Sequence, residues 1–275
     1  MTISDEQIRF FETFGFLQLK GLMSDIIDEI SMAFEEVWQQ HGGGHAGTAH
    51  QQQRSCLVPF IDRHERLSAL LDDPRILAIA QGILGPDFNY STSDGNLYVG
   101  DTSYHSNSFA GGLRALKLAF YLDPVSSDSG CLRVIPGSHR FGESYADDLH
   151  EHIRLSREQW GVPQSELPAI PLPTEPGDLV VFSHCIKHGS FGGGGRRRLF
   201  VINATEHCPP EKIPYLRDHI GSMARFWIDS YYGEVMVKTA GPERMLHLQQ
   251  ILSNQDHLPE LAERCRQEMS EPSRG

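Results

Sequence analysis

The chain has 275 residues, of which 39% are hydrophobic and 22% charged, and its formal net charge is −12. This composition is typical of a globular protein with a sizeable core, and the acidic balance argues against nucleic acid and anionic membranes as partners. The five cysteines are scattered without a CxxC pair, which argues against a disulfide framework or a structural zinc site. The sequence shows no signal peptide and no membrane-spanning apolar run, so we expect a cytoplasmic protein. Its oligomeric state is not predicted.

The N-terminal part of the chain predicts mainly helices. Ser4 and Gln7 have the spacing of a capping box that opens a helix. The stretch FGFLQLKG then alternates as a strand does, and residues 22–40 have the apolar spacing of an amphipathic helix. The glycine-rich segment 41–54 predicts a mobile loop, and one interpretation is a lid over an active site. Further helical segments are expected near 65–72 and 74–83.

From about residue 87 to 205 the pattern changes to that of an antiparallel double sheet. Short runs rich in β-branched and aromatic residues alternate with Gly, Pro, Ser and Asp. Residues 150–175 form a polar insertion, and the chain from about 210 again has helical spacing, clearest in PERMLHLQQILS. We therefore predict one domain, residues 1–275, that is mainly β with helices packed outside the sheets.

Two histidines in this β region, His105 and His188, stand where strands are expected to end. A non-haem Fe(II) oxygenase needs two neutral imidazoles, usually a carboxylate, and open positions for a cosubstrate and dioxygen. The carboxylate usually lies two residues after the first histidine, because residues i and i+2 of a strand share a face. The cosubstrate 2-oxoglutarate has a distal carboxylate suited to a bidentate arginine. Arg196, Arg197 and Arg198 follow the second histidine at a suitable distance.

Three long stretches resemble the phytanoyl-CoA dioxygenase family of Fe(II)/2-oxoglutarate-dependent oxygenases. They are YVGDTSYHSN, RALKLAFYLDPVSSDSGCLRVIPGSH and GDLVVFSHCIKHGSFGGGGRRRLFVIN. The resemblance begins at the N-terminal FFETFGFLQLKG and runs to about Asn203. It implies a double-stranded β-helix core, also called a jelly roll and similar to cupins. It also implies Fe(II), 2-oxoglutarate and O₂ as cofactor and cosubstrates.

Matched residue by residue, the resemblance implies roles for five side chains. His105 and His188 match the iron-ligating histidines, and Ser190 matches a hydroxyl that contacts the distal carboxylate of 2-oxoglutarate. An arginine among residues 196–198 matches the ion-pair partner of that carboxylate; strand alternation favours Arg197. Lys117, on the strand after the first histidine, is expected to line the cosubstrate pocket.

Asn107 stands where the family has its iron-ligating aspartate. Three interpretations follow. In the first, Asn107 or water completes the iron site and ordinary oxygenation continues. In the second, the missing carboxylate leaves room for chloride, as in related halogenases. In the third, the chain binds metal poorly and is inactive, or it is an engineered variant. The nearby Asp94 and Asp101 lack the i+2 geometry of a replacement ligand.

The sequence therefore favours an enzyme that oxidises a C–H bond of a small molecule, a metabolite or natural product, by hydroxylation. A halogenase is the first alternative. A non-catalytic jelly roll that binds a metabolite is another, and a cupin-type isomerase or lyase a further one. The substrate is not predicted, because specificity in such scaffolds lies on loops.

Overall fold

The computed structural model describes residues 3–41, 53–107, 112–193, 195 and 197–275. These residues contain short and long strands that all pair in antiparallel fashion. The strands are β1 (Phe16–Leu19), β2 (Ser55–Leu57), β3 (Phe88–Tyr98), β4 (Thr102–His105), β5 (Ala115–Tyr121), β6 (Leu132–Ile135), β7 (Ile170–Leu172), β8 (Leu179–Ser183), β9 (Lys187–Ser190) and β10 (Arg197–Glu206).

The strands form two sheets that pack face to face. The larger sheet has the order β1-β8-β5-β10-β3-β2, and the smaller has the order β4-β9-β6-β7. Apolar side chains from both sheets meet in one buried cluster, to which Phe182 and Val201 contribute from the larger sheet and Leu132 and Val134 from the smaller. The predicted mainly β architecture is therefore confirmed, and neighbours in each sheet come from distant parts of the chain.

Helices cover the outer face of the larger sheet, as predicted. The capping box is present, since the Ser4 backbone N–H donates to Gln7 Oε1 (2.9 Å) and the Gln7 N–H donates to Ser4 Oγ (3.3 Å). The helices are α1 (Asp5–Phe14), α2 (Ile27–His41), α3 (Glu65–Ser68), α4 (Pro74–Leu84), α5 (Ser144–His152), α6 (Ser156–Trp160), α7 (Ile213–Ser222), α8 (Glu234–Lys238), α9 (Pro242–Leu252) and α10 (Leu258–Glu268).

Three details differ from the sequence predictions. Helix α2 begins only at Ile27, because the Met23 N–H donates to the Gly177 carbonyl (2.8 Å) and holds the preceding residues in turns. The runs FNYSTS and NLYVG, which the sequence pattern separates, form one strand, β3, that is continuous through Gly95. A side chain at Gly95 would overlap the ring of Phe60, so the glycine serves close packing there and does not end the strand. Two short helices that sequence alone did not indicate lie at the polar insertion: α5 ends within its first residues and α6 lies inside it.

The described residues contain no helix with the length and apolar character needed to cross a bilayer. The predicted loop over residues 41–54 lies mostly outside the described residues, which include His41, Gln53 and Arg54 from that range.

A buried carboxylate, Asp62, links β3 to the segment before α8. It accepts hydrogen bonds from Ser93 Oγ (3.2 Å) and the Gly233 N–H (3.0 Å), and burial raises its pKa from 3.8 to about 6. Because the folded state favours the protonated form, the stability contributed by Asp62 is full below about pH 4 and is lost as the pH rises through 6. The loss is on the order of 3 kcal/mol.

We therefore expect Asp62→Asn to remove most of this pH dependence. The free energy of unfolding, measured in urea at pH 4.5 and 7.5, should fall less between the two values in the variant than in the wild type. The exposed Asp28→Asn serves as the charge-matched control. Equal pH dependence in wild type and Asp62→Asn would contradict the expectation.

Candidate metal and cosubstrate site

A cavity of about 700 Å³ lies between the two sheets. Alternate residues of the larger sheet point into it, as strand geometry requires. Thr92, Asp94, Asn96 and Tyr98 come from β3, Lys117, Ala119 and Tyr121 from β5, and Arg197, Leu199, Val201 and Asn203 from β10. The smaller sheet supplies the histidines that the sequence singled out.

His105 and His188 lie directly opposite each other on paired strands. They are register partners between β4 and β9, and their ring centroids are 4.2 Å apart. Both line the cavity. Although 83 positions separate them in sequence, the sheet brings the two imidazoles close enough to share one metal ion.

Both imidazoles are held in the same tautomer. His105 Nδ1 donates to the Ser103 carbonyl and His188 Nδ1 to the Ile186 carbonyl, each at 2.9 Å. A carbonyl can only accept, so Nδ1 carries the proton and Nε2 keeps the lone pair that a metal requires. Burial lowers the pKa of both rings, which keeps them neutral.

Asn107 lies beside the histidines, as the sequence spacing predicted. Its backbone N–H donates to the His184 carbonyl (2.8 Å), and its side chain lines the cavity. The amide oxygen Oδ1 is buried and has no hydrogen-bond partner, which is costly unless a cation or donor satisfies it. No group of three His, Cys, Asp or Glu side chains in the described part of the chain is placed to bind a metal. Two imidazoles and one amide oxygen fit a ferrous ion with open positions.

Arg197 and Arg198 point to opposite faces of the larger sheet. Arg197 is buried; its guanidinium donates to the carbonyls of Gly130 and Gly100 and stacks on Tyr98. Its Nε has no partner, and it forms no ion pair with the described residues. Arg198 instead pairs with Asp123 (2.6 Å) and Glu35 (3.0 Å).

The uncompensated charge of Arg197 makes it the arginine suited to a carboxylate ligand. Ser190, also buried, lines the same cavity. Arg196 lies outside the described residues.

Lys117 also faces the cavity, on β5. It lies opposite Phe182 in β8 and Asn203 in β10, and the Phe182 ring is 5.0 Å from that of His188. Burial lowers the pKa of the lysine. Lys117 therefore flanks the histidine pair.

Of the other side chains near these stretches of sequence, some lie outside the cavity and some line it. His139 bonds to the Glu12 carbonyl (3.1 Å), and Asp101 accepts from the Gly193 N–H (3.1 Å); neither lines the cavity. His184 lines it, and its Nε2 bonds to Asn203 (3.0 Å). Phe226 also lines it, while the neighbouring Tyr231 and Tyr232 pack in the core.

Sequence reasoning missed the cavity roles of Arg54, Asn96, Tyr98 and Arg225. Arg54 donates to Asn96 Oδ1 (2.7 Å) and stacks on Tyr98, closing one side of the cavity. The polar alternation of β3, from Thr92 to Tyr98, was the signal that could have found that wall. Arg225 gave no comparable signal, because it comes from the C-terminal helices.

Known structures share this fold. A 2-oxoglutarate-dependent carbocyclase, SnoK of nogalamycin biosynthesis, superposes with a TM-score of 0.59 at 20% identity, covering 74% of this chain and 84% of that one. HygX from Streptomyces hygroscopicus, with nickel and 2-oxoglutarate bound, gives 0.60 at 15% identity, with coverages of 75% and 88%. These similarities confirm the predicted jelly-roll fold.

Sequence comparison gives the family. Ectoine dioxygenase from Bordetella bronchiseptica is 27% identical, over 68% of this chain and 70% of the relative. The family model for phytanoyl-CoA dioxygenase (PhyH) matches residues 11–199, more than half of the chain. The chain therefore belongs, as predicted, to this family of Fe(II)- and 2-oxoglutarate-dependent dioxygenases.

Proposed function

We propose that this chain oxidises a C–H bond of a small-molecule substrate, with Fe(II) held by His105, His188 and the amide oxygen of Asn107. The observation that carries the proposal is the paired, tautomer-fixed histidines beside an unsatisfied buried oxygen. Family membership supports the same chemistry.

Iron and 2-oxoglutarate, when bound, supply the oxidation: one oxygen atom of O₂ enters succinate as CO₂ is lost, and the other oxidises the substrate. The protein's own residues bind and orient. Arg197 and Ser190 bind the distal carboxylate of 2-oxoglutarate, since the guanidinium is buried and lacks a counterion. Tyr121, Leu132 and Leu199 give the cavity apolar walls that limit water near the reacting carbon.

Asn107 favours a second candidate, halogenation. An amide is neutral, so the metal site has one negative charge fewer than it would with aspartate. A chloride ion bound next to the iron would restore that charge, and the substrate carbon would then receive chlorine. A metabolite-binding protein without catalysis is the remaining alternative, and succinate formation separates it from the other two.

The first test is anaerobic titration of metal-free protein with Fe(II) and then 2-oxoglutarate. We expect the visible charge-transfer band of the chelate, followed by succinate formation once O₂ is admitted. A band that shifts with chloride would favour halogenation. We expect Asn107→Asp to tighten iron binding by at least about tenfold, because it adds a charged ligand. Absence of the band in wild type and its recovery in Asn107→Asp would contradict the proposal for the natural chain.

A further inference from the structure

The cavity is cationic although the chain as a whole is acidic. Its described lining contains four cationic side chains and a single carboxylate side chain, Asp94, in a protein of net charge −12; the main chain of Gly275 also lines it, next to Arg54. The carboxylate oxygen Oδ2 of Asp94 lies 3.9 Å from Nη2 of Arg54, which is one of the four cations. The other three, Lys117, Arg197 and Arg225, form no ion pair with any described residue. With one 2-oxoglutarate at Arg197, Lys117 and Arg225 still have no ion-pair partner among the described residues; Asp94 acts on Lys117 electrostatically but pairs with Arg54.

Lys117 lies far from Arg197 along the sheet. In the pairing of β5 with β10, Lys117 is opposite Asn203, six residues beyond Arg197. At 3.3 Å per residue the two backbone positions are about 20 Å apart. The guanidinium of Arg197 is fixed at its own end by the carbonyls of Gly130 and Gly100. The carboxylates of 2-oxoglutarate are separated by only three carbons, so Lys117 lies on the side of the histidines away from the distal carboxylate.

The ammonium group of Lys117 has no acceptor among the described residues. It forms no hydrogen bond or ion pair with them, and the amide oxygen of its cross-strand partner, Asn203 Oδ1, bonds to His184 (3.0 Å). The neighbours on its face of β5 are the small residues Ala115 and Ala119, which leave room beside the ammonium for a ligand. Desolvation lowers the pKa of Lys117, as expected for an ammonium group that no partner stabilises. Lys117 is half-buried in the cavity wall. A cation removed from bulk water without a partner is unfavourable, and a chain retains one where a ligand supplies the anion.

We propose that the substrate carries an oxyanion, a carboxylate or a phosphate, and that Lys117 binds it next to the metal centre. Arg225, which is exposed at the cavity mouth beside Phe226, attracts the same anion during entry. This inference rests on the proposed function, because it names the substrate class for that site. It reassigns Lys117 from cosubstrate binding to substrate recognition.

The test compares anionic probes with neutral ones of the same size. Hexanoate, hexanamide and butyl phosphate are titrated into the anaerobic Fe(II)/2-oxoglutarate protein, and their effect on the visible band is recorded. We expect hexanoate or butyl phosphate to bind at least tenfold more tightly than hexanamide. Which of the two binds better distinguishes a carboxylate substrate from a phosphate.

Three variants assign the effect to Lys117. Lys117→Met should abolish the anion preference, and Lys117→Arg should retain most of it. Lys238→Met removes the same charge from an exposed surface pair with Glu234 and should change nothing. The affinity for 2-oxoglutarate should stay within about threefold of wild type in all of them. The melting temperature of Lys117→Met should equal or exceed that of wild type, because an unpaired, half-buried charge is removed.

Several outcomes would overturn the inference. Unchanged anion preference in Lys117→Met would do so, and so would a tenfold loss of 2-oxoglutarate affinity, which would return Lys117 to the cosubstrate. A response to chloride but to neither organic anion would make Lys117 part of a halide site. Calorimetry of the same probes with metal-free protein keeps the test independent of iron binding. If the anionic probes show no preference there, the role of Lys117 is contradicted. If the visible band does not form, the proposed function is contradicted instead.

Discussion

Replacing His188 with alanine is expected to lower the affinity for Fe(II) by more than two orders of magnitude and to stop succinate formation. Loss of a residue that merely supports a metal ligand costs 10- to 100-fold, and loss of a ligand itself should cost more. His188 is buried opposite His105, with Nε2 free and Nδ1 bonded to the Ile186 carbonyl. The remaining histidine and an amide oxygen would form a weak two-ligand site. Anaerobic titration followed by the visible band measures the loss.

The matched control is His184→Gln. His184 is also buried, lines the same cavity and lies four residues earlier, where it would share a face with His188 in a regular strand. Its Nε2 bonds to Asn203, and glutamine can retain that hydrogen bond. We expect this variant to bind iron nearly as wild type does. Iron binding that survives His188→Ala but is lost in His184→Gln would move the metal site to His184.

Replacing Arg197 with glutamine is expected to raise the KM for 2-oxoglutarate by about 30-fold or more. Truncating one partner of a buried, hydrogen-bonded charge pair costs about 2–5 kcal/mol, and each 1.4 kcal/mol is a factor of ten. Iron binding in the absence of 2-oxoglutarate should change little, because no metal ligand is altered. A raised KM for 2-oxoglutarate together with unchanged iron binding distinguishes loss of the carboxylate partner from general damage to the fold.

Arg198→Gln is the control for this prediction, with the same chemical change one residue away. Arg198 points to the other face and pairs with Asp123 and Glu35, so its loss should reduce stability modestly and leave the KM within about threefold. Arg197→Lys keeps the charge without the bidentate fork and should fall between wild type and glutamine. Equal effects of Arg197→Gln and Arg198→Gln on the KM would contradict the assignment.

The sequence predicted the parts of the site that depend on strand periodicity. The resemblance offered three arginines, and strand alternation favoured Arg197 as the inward one; in the structure Arg197 lines the cavity and Arg198 pairs on the other face. The pairing of His105 with His188 depends on the register between distant strands. It came from resemblance to a family, since no local pattern encodes which strands become neighbours. The roles of these residues, of Ser190 and of Asn107 stay predictions until iron and 2-oxoglutarate binding are measured.

The charge of the cavity was beyond sequence reasoning. Its cations come from before β2, from β5, from the start of β10 and from the C-terminal helices, and only the closed fold brings them together. The net charge of −12 even pointed the other way. The missed helices α5 and α6 have a related cause: their polar composition gives a weak signal, and contacts such as the buried Ile153 with Tyr104 of β4 help to hold them.

The division of the site between two sheets gives the apolar cluster between them a second role. The histidines proposed to bind iron belong to the smaller sheet, and Arg197 and Lys117, the proposed anion partners, to the larger. The thickness of this packed layer therefore sets the spacing between the proposed iron site and both cations. Leu132 of the smaller sheet and Val201 of the larger belong to that layer. A displacement of about 1 Å at a reacting centre can cost about 100-fold in rate. A methyl group added or removed in this layer can therefore slow the enzyme severely in a protein that melts normally.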